Sequence, residues 1–271
     1  MSTNNTTRFV LFMVAGFAVM SAIVFGGLFA ETSVVPHLLG RSDVEAQMQV
    51  PREKNGIVKF EEVPTTIETP KGDDNMTVRD GLIAWLSADQ LSLENGKRAS
   101  YLADASKKNN HARQVMPTSR PLFITNAING KPVLRFDGND DCLYIESMRF
   151  LTPLTIYAVW AKPNAGGVPY QRLYSSGSRG MDYQAGGVYY IPASDQNGIG
   201  SAPPQIHKKV LPTQADISIF VLGRLNGGIT QFFYGDLAEM LIYTKPLSPE
   251  DQRKVEQYLS KKYGIYAVVL G

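Results

Sequence analysis

Residues 234–265 read YGDLAEMLIYTKPLSPEDQRKVEQYLSKKYGI, and this stretch decides the fold of most of the chain. It contains LAEMLIYT at 237–244, a short and mostly apolar run that is typical of a buried β-strand. A helix begins after it, because Ser248 is a good N-cap residue and Pro249 suits the first helical position. Two lysines occupy the last turn, and Gly264 ends it. The stretch therefore predicts a strand followed by a helix that packs on a sheet.

Similar short runs, with turn residues between them, fill the chain from Gly81 onward. They are LIAWL (82–86), PLFIT (121–125), PVLRF (132–136), CLYIE (142–146), LTIYAVWA (154–161), GVYYI (187–191), DISIFVLGR (216–224), ITQFFY (229–234) and LAEMLIYT (237–244). Turn signals such as Asn129-Gly130 and Asp137-Gly138 separate them. Many short strands with such turns predict an antiparallel sandwich or barrel, and about 190 residues suffice for its core.

Three segments together resemble a known family. GLIAWLSADQ at 81–90, KPVLRFDGNDDCLYI at 131–145 and the strand-helix pair at 234–265 look like the laminin-G-like branch of the concanavalin A-like lectin/glucanase superfamily. The resemblance covers Gly81 to Ile265, and it implies an antiparallel jelly-roll sandwich of two curved sheets with a C-terminal helix. Because this fold hosts lectins, glycosidases, adhesion modules and interaction domains, it does not by itself assign a function.

The pairs of acids that glycosidases need are missing from the sequence. Glycosidase relatives on this fold place their acids on one strand as E-x-D-x-x-E, which points the carboxylates into one cleft. The run LAEML supplies only Glu239, whereas retaining and inverting hydrolysis both need two carboxyl groups. We interpret Glu239 as a paired structural residue, with a lone acid as the alternative. No G-x-S-x-G elbow and no phosphate-binding glycine loop occurs either, so we expect no enzyme and no catalytic or cofactor-binding residues.

The densest group of oxygen ligands lies in the run Asp137-Gly138-Asn139-Asp140-Asp141. Asp137, Asn139 and Asp141 have the alternate spacing that calcium loops favour, and some relatives in the resembled family bind calcium at loop ends. The competing interpretation is a tight turn in which Asp and Asn bond to nearby backbone groups. No glycine follows at the sixth position, which excludes an EF-hand loop. We expect no resident metal, with calcium at these three residues as the alternative.

Composition excludes several classes of protein. The 271 residues carry 27 Lys and Arg against 25 Asp and Glu, a formal net charge of +2, so a nucleic-acid partner is not expected. The only cysteine, Cys142, cannot form a disulfide scaffold or a cysteine zinc site within one chain. His37 and His111 are far apart in sequence, and we assign the basic run His207-Lys208-Lys209 to a solvated loop.

Residues 9–30 read FVLFMVAGFAVMSAIVFGGLFA and contain no charged side chain. A helix of this length rises about 33 Å, enough to cross a hydrocarbon core of about 30 Å. The alternative, a cleaved signal peptide, usually has an apolar region of only about 7–15 residues. We therefore expect a single-pass membrane anchor, with Arg8 and the N-terminus in the cytoplasm and the C-terminal bulk in the periplasm or outside the cell.

Small residues recur every four positions along this segment, and they are Ala18, Ala22, Gly26 and Ala30. Such a strip lets another helix approach closely inside lipid, although alanine and glycine are also simply common in membrane helices. Residues 31–79 follow, with four prolines and no sustained periodicity, which predicts an extended tether. The predicted organisation is a cytoplasmic N-terminus at 1–8, a transmembrane helix at 9–30, a tether at 31–79 and a jelly-roll domain at 80–271.

These features favour a non-enzymatic, membrane-anchored scaffold or accessory subunit of a larger membrane complex, for example a respiratory or photosynthetic one. Its partners would be membrane lipid and the transmembrane helices and outer surfaces of other subunits. The alternative is a surface or periplasmic lectin that binds a glycan, and a glycoside hydrolase ranks third. Exposed tyrosines suit sugar stacking and protein contact equally, and one stretch is rich in them: Tyr170, Tyr174, Tyr183, Tyr189 and Tyr190.

Overall fold

The computed structural model describes residues 67–145, 150–151, 153–167, 169–177, 186–190, 200–211, 216–217, 219–225 and 231–266. Within them the chain is mostly β, every strand pairing is antiparallel, and one α-helix lies near the C-terminus. The strands are β1 (Leu82–Ser87), β2 (Tyr101–Leu102), β3 (Ala112–Arg113), β4 (Leu122–Ile128), β5 (Lys131–Asp137), β6 (Leu143–Ile145), β7 (Phe150–Leu151), β8 (Leu154–Lys162), β9 (Arg172–Gly177), β10 (Gly186–Tyr190), β11 (Ala202–Leu211), β12 (Asp216–Ile217), β13 (Ile219–Leu222) and β14 (Tyr234–Tyr243), and the helix is α1 (Pro249–Tyr263). Short 3-10 helices lie at Ala88–Gln90 and Pro117–Ser119. The predicted antiparallel β class and the C-terminal helix are confirmed.

Two six-stranded sheets form the body of the domain. Sheet A has the order β11-β8-β14-β5-β4, with β1 also paired to β14, and sheet B has the order β10-β9-β13-β6-β3-β2. Strands β7 and β12 form a separate pair. The ten residues of β14 pair with β8 along one edge and with β5 and then β1 along the other. This strand therefore joins the beginning, the middle and the end of the domain in one sheet.

The alternation along β8 creates two hydrophobic layers. Its even-numbered residues from Leu154 to Trp160 lie in a core that also contains Phe220 of sheet B. Its odd-numbered residues from Tyr157 to Ala161 lie in a second core, together with Leu259 of α1. Sheet A is therefore buried on both faces along β8, and the strand predicted at 154–161 is confirmed.

Local capping and turn signals also act as predicted. Ser248 Oγ accepts a hydrogen bond of 3.1 Å from the N–H of Asp251, and Gly264 ends the helix in a left-handed conformation with φ 62°. The two-residue connection Asn129-Gly130 joins β4 and β5 with φ values of 47° and 74°, as a type I′ hairpin turn requires. These positions need no tertiary contact to specify their conformation.

Two sequence expectations were wrong. The strand predicted at 229–234 is not seen in its described part, because Gln231 has φ 64° and the extended backbone begins only at Tyr234. The run His207-Lys208-Lys209 lies in β11 rather than in a solvated loop, and His207 is buried. Two prolines near the start of β11 disguised this strand, and they are tolerated there because β11 is at the edge of sheet A.

Residues 67–79, the described end of the predicted tether, pack against the domain. Met76 and Val78 are buried in the core that contains α1. The Arg79 guanidinium lies 4.4 Å from the centroid of the Trp85 ring, and Gly72 approaches the same ring so closely that an added Cβ would lie 2.5 Å from it. This stretch is therefore part of the packed domain.

The rest of the predicted tether, the predicted membrane helix at 9–30 and its strip of Ala18, Ala22, Gly26 and Ala30 lie outside the described residues. In the part of the chain that the structure describes, no helix has both the length and the apolar character needed to cross a membrane.

Candidate functional site

The predicted oxygen-ligand cluster forms the turn that follows β5. Asp137 Oδ1 accepts hydrogen bonds from the backbone N–H groups of Asn139 (2.9 Å) and Asp140 (3.3 Å). The side chain of Asn139 is exposed, and its amide donates to Asp137 Oδ2 at 3.4 Å. A carboxylate that binds the backbone two residues ahead forms an Asx turn, which by itself accounts for Asp137 and Asn139.

The structure groups Asp140, rather than Asn139, with the two predicted aspartates. Carboxylate oxygens of Asp137, Asp140 and Asp141 all lie within 4.8 Å of one another. Asp141 is 1% exposed; its Oδ1 accepts from Arg98 Nη1 at 3.1 Å, and its Oδ2 accepts from the Asp137 N–H at 3.0 Å. Arg98 lies 43 residues earlier in the chain, and no sequence pattern predicted that it would pair with Asp141.

We define Asp137, Asp140 and Asp141 as the acid turn, and its electrostatics leave Asp141 partly protonated at neutral pH. Burial and the neighbouring charge of Asp137 raise the pKa of Asp141 to about 7, and Arg98 opposes the shift. A hard cation would relieve the excess negative charge, but both oxygens of Asp141 already accept hydrogen bonds and Ser119 Oγ donates to Asp140 Oδ2 at 2.9 Å. Asp137 and Asp140 are the acids of this turn that Arg98 does not bind, but both oxygens of Asp137 also accept hydrogen bonds within the turn. Calcium at this turn therefore stays a prediction.

Glu239 on β14 lies in a second polar cluster, between sheet A and α1. Its Oε1 accepts hydrogen bonds from Trp85 Nε1 (2.5 Å) and Tyr258 OH (3.0 Å). Its Oε2 accepts from Lys262 Nζ (2.6 Å) and Tyr263 OH (2.7 Å). The side chain of Glu239 is 0% exposed and that of Lys262 is 6% exposed. The carboxylate is therefore neutralised and fully hydrogen-bonded, as its interpretation as a paired structural residue requires.

The charge of Glu239 keeps its partners in the matching protonation states. Burial and the negative charge of Glu239 raise the pKa of both Tyr258 and Tyr263, so their hydroxyls stay protonated and donate. Burial alone would lower the pKa of Lys262, but Glu239 and Asp89 together raise it. Lys262 therefore stays protonated at neutral pH.

Two further buried acids are also satisfied from within the domain. Asp236 forms a bidentate pair with Arg135, whose Nε and Nη2 lie 2.7 and 2.8 Å from its two oxygens. Asp104 accepts hydrogen bonds from the Trp85 N–H, from both the N–H and Oγ of Ser106, and from the Asn110 N–H. Together with Asp141 and Glu239, these are the four buried acids of the described residues.

The histidines do not form a site with one another or with acids in the described ranges. His111 Nδ1 accepts from the Asp104 N–H at 3.0 Å, and His207 Nε2 lies 3.2 Å from Tyr174 OH. Burial lowers the pKa of both imidazoles, to about 3 for His207. Both are neutral at pH 7, and neither joins a metal-ligand cluster among the described residues. His37 lies outside them.

A cavity of about 420 Å³ opens between residues 73–77, the start of β5 and one side of α1. Four lysines line it, with the carboxylate of Asp73 and three neutral polar side chains. The lysines are Lys131, Lys254, Lys261 and Lys262, and the neutral residues are Asn75, Thr77 and Gln257. We call it the lysine cavity. No sequence pattern pointed to it, because its residues come from three separate segments.

Comparisons with known proteins give no family for this chain. No protein-family model matches it, and no curated protein matches it. Among solved structures it is similar to Trypanosoma rangeli sialidase in complex with the inhibitor DANA, at 14% identity and a TM-score of 0.36, over 64% of this chain and 32% of that one. It is also similar to Trypanosoma rangeli sialidase at 15% identity and a TM-score of 0.33, over 67% of this chain and 33% of that one. The chain thus spans about a third of the length of these structures, and similarity at this level assigns it neither a fold nor an activity.

Proposed function

We propose that this chain is a non-enzymatic binding module, a jelly roll of the concanavalin A-like type that is held at a membrane by an N-terminal single-span anchor. Its domain faces away from the cytoplasm and contacts other subunits of a membrane complex. Two antiparallel six-stranded sheets and the strand-helix pair at 234–265, with its laminin-G-like pattern, support the fold assignment. The apolar segment at 9–30 supports the anchor.

One observation carries the non-enzymatic part of the proposal. Among the described residues, both carboxylate oxygens of each of the four buried acids accept hydrogen bonds from the domain itself. A general acid must offer its proton to a substrate, and a nucleophilic or basic carboxylate must face an open cleft. Acids whose two oxygens both accept hydrogen bonds from internal donors instead stabilise the fold.

The packing of residues 67–79 supports the role as a scaffold. Because Met76 is buried and Arg79 stacks on Trp85, the chain is fixed to the domain where the tether ends. A domain that is fixed at this point can hold a partner at a more defined distance from the membrane than a domain on a free linker can.

Extraction of the full chain from its own membranes in a mild non-ionic detergent tests the scaffold proposal. We expect it to migrate in native electrophoresis together with other subunits, well above the 29.8 kDa of a single chain. Migration as a lone chain of that mass, under conditions that preserve other complexes of the same membrane, would contradict the proposal.

A panel of fluorogenic glycosides tests the non-enzymatic assignment. We expect the purified full chain to release no fluorophore above the rate of the buffer. Asp141 has the raised pKa that a general acid needs, so Asp141→Asn is the informative variant. Turnover that this variant abolishes, while the protein stays folded, would make the chain a hydrolase.

The alternative is a lectin, and Tyr170 is the observation that favours it. Its side chain is 52% exposed and its backbone has φ 59°, a conformation that costs a non-glycine residue about 1 kcal/mol or more. Strained residues of this kind concentrate at functional surfaces. Binding of the full chain to particular sugars on a glycan array, lost in Tyr170→Ala, would replace the scaffold proposal with this one.

A further inference from the structure

The lysine cavity is large enough to hold a small ligand, and the scaffold role does not use it. Its volume of about 420 Å³ falls in the range of small-ligand sites, and it is lined on one side by α1 and on the other by the segment 73–77. Tyr258 and Lys262 belong to its lining and also donate hydrogen bonds to Glu239, which fixes their side chains.

Ammonium groups dominate the lining. Four lysines and one aspartate give the cavity wall a formal charge of +3, which is four minus one. Partial burial favours the neutral form of Asp73, but hydrogen bonds from Asn75 and the charges of Lys262 and Lys131 lower its pKa. The lysine charges therefore act on groups at the cavity surface.

The carboxylates that balance these lysines do not line the cavity. Glu239 and Asp89 both contact Lys262 and lie outside the lining, with Glu239 fully buried. Glu250 pairs with Lys254 on the exposed surface of α1 at 2.7 Å, an arrangement that solvent weakens. With these three acids and Asp73 counted against the four lysines, the region is neutral, four minus four. An anion is therefore attracted only at short range.

Neutral polar groups complete the surface. Asn75, Thr77 and Gln257 are exposed side chains that can donate and accept hydrogen bonds, and they line the cavity together with the lysines. Such groups match hydroxyls next to an anionic centre, whereas a bare inorganic anion would leave them unused.

We infer that the lysine cavity binds the anionic end of a small polyol, that is, a phosphate or carboxylate group with neighbouring hydroxyls. The ligand is a free metabolite or the headgroup of an anionic lipid, since both present this chemistry. Because the attraction is local, we expect a dissociation constant of about 0.1–1 mM. This inference is independent of the proposed scaffold role, and it holds even if the chain forms no complex.

Calorimetric titration of the full chain in non-ionic detergent micelles tests the inference. The probe is glycerol 3-phosphate, and glycerol is its neutral match. We expect the phosphate ester to bind, glycerol to show no heat at the same concentrations, and the affinity to fall as salt is added. A second titration in micelles that also contain phosphatidylglycerol distinguishes a lipid headgroup from a free metabolite. If phosphatidylglycerol weakens the binding of glycerol 3-phosphate, the ligand is a lipid headgroup. If the binding is unchanged, the ligand is a free anion.

Three variants decide whether the binding occurs in this cavity. The double variant Lys131→Gln with Lys261→Gln should weaken binding at least about tenfold, because it removes two lining charges and leaves Lys262 to hold Glu239. Asp73→Asn should strengthen binding about threefold, since it removes the lining carboxylate but keeps an acceptor for Asn75. Lys97→Gln is the matched control, an exposed lysine that is not part of the lining and should change nothing.

The inference is overturned by absence of binding at about 10 mM probe. It is equally overturned if the double variant binds like the wild type, or if Lys97→Gln weakens binding as much. Native electrophoresis of the same preparation reports on the scaffold role separately, so the two ideas can fail independently.

Discussion

Glu239 and Asp141 are both 1% exposed, yet the protein supports these two buried carboxylates in different ways. Glu239 has a lysine and three aromatic donors around it. Asp141 has one arginine and one backbone N–H, and it shares its surroundings with two more aspartates. A buried charge is stable where hydrogen-bond donors surround it and costly where like charges do. The Glu239 site therefore stabilises the fold, whereas the Asp141 site lowers its stability when Asp141 is ionised.

The comparison also explains the sequence pattern around Glu239. Trp85 lies in the segment 81–90, and Tyr258, Lys262 and Tyr263 lie in the segment 234–265. In the structure these distant segments meet at one carboxylate, which ties the first strand and the last helix to β14. The pattern can therefore be understood as the requirements of a single buried network.

Glu239→Gln should have the largest effect on stability. The substitution keeps the shape of the side chain but leaves the buried ammonium of Lys262 without its closest counter-charge, which should lower the free energy of unfolding by about 3–5 kcal/mol. Urea unfolding of the full chain in non-ionic micelles, followed by tryptophan fluorescence, measures this loss. The only two tryptophans, Trp85 and Trp160, are both buried in the domain, so the signal reports its unfolding.

Glu250→Gln is the control for this experiment. It breaks the exposed ion pair with Lys254 on the same helix and should leave the free energy of unfolding almost unchanged. Equal losses in the two variants would mean that the buried pair contributes no more than a surface pair, and the contrast between the two sites would disappear.

Asp141 should make the domain less stable as the pH rises from about 4 to 7. Its pKa is about 7 in the native state against an ordinary value of 3.8, so in this interval the native state binds more protons than the unfolded chain. The free energy of unfolding then falls with increasing pH, by on the order of 3 kcal/mol in total. Glu239 and the other acids are common to the wild type and Asp141→Asn, so the difference between these two proteins isolates Asp141.

The measurement is the pH dependence of that difference, from urea unfolding at about pH 4, 5.5 and 7. A constant loss in Asp141→Asn from imperfect hydrogen bonding does not affect the slope. If the difference between wild type and variant does not change with pH, or if the wild type gains stability relative to the variant as the pH rises, then Arg98 compensates Asp141 fully and the site resembles that of Glu239.

Tyr263→Phe should have an intermediate effect. The change removes one hydroxyl donor from Glu239 and keeps the buried ring, so it should cost about 1.5–3 kcal/mol, the usual contribution of a hydrogen bond to a charged group. Tyr157→Phe is the matched control, because within the described residues the hydroxyl of that buried tyrosine makes a single long hydrogen bond, of 3.4 Å, to Glu256. A similar loss in both variants would show that the donors around Glu239 are not specifically required.

Local signals in the sequence were sufficient for much of the fold. The strand at 154–161, the caps of α1 and the Asn129-Gly130 turn each depend on a few adjacent residues, and each was predicted correctly. The strand β11 was not predicted, because its two prolines weaken the sequence pattern of a strand. The false strand at 229–234 arose because apolar residues such as Phe232 can be buried without regular structure.

The sites depend on tertiary contacts that no local pattern encodes. Asp137 and Asp141 were recognised from their spacing, but the meeting of Arg98 with Asp141 requires the path of the whole chain between them. The lysine cavity combines three segments, and its lysines, taken singly, look like ordinary surface residues. Charge clusters of this kind become visible only when side chains from distant segments are placed together.

Calcium should have the smallest effect on stability. The ion needs about six to eight oxygen ligands, whereas the acid turn keeps only Asp137 and Asp140 for it while Asp141 is held by Arg98. At about 1 mM calcium and pH 7 we expect a gain of less than about 0.5 kcal/mol in the free energy of unfolding, the value for a site no tighter than millimolar. Magnesium at the same concentration controls for ionic strength, and Asp140→Asn controls for the site. A larger, calcium-specific gain that Asp140→Asn abolishes would mean that Arg98 releases Asp141 to the ion. The negative charge of this turn would then bind calcium, and Asp141 would differ from Glu239 in function as well as in environment.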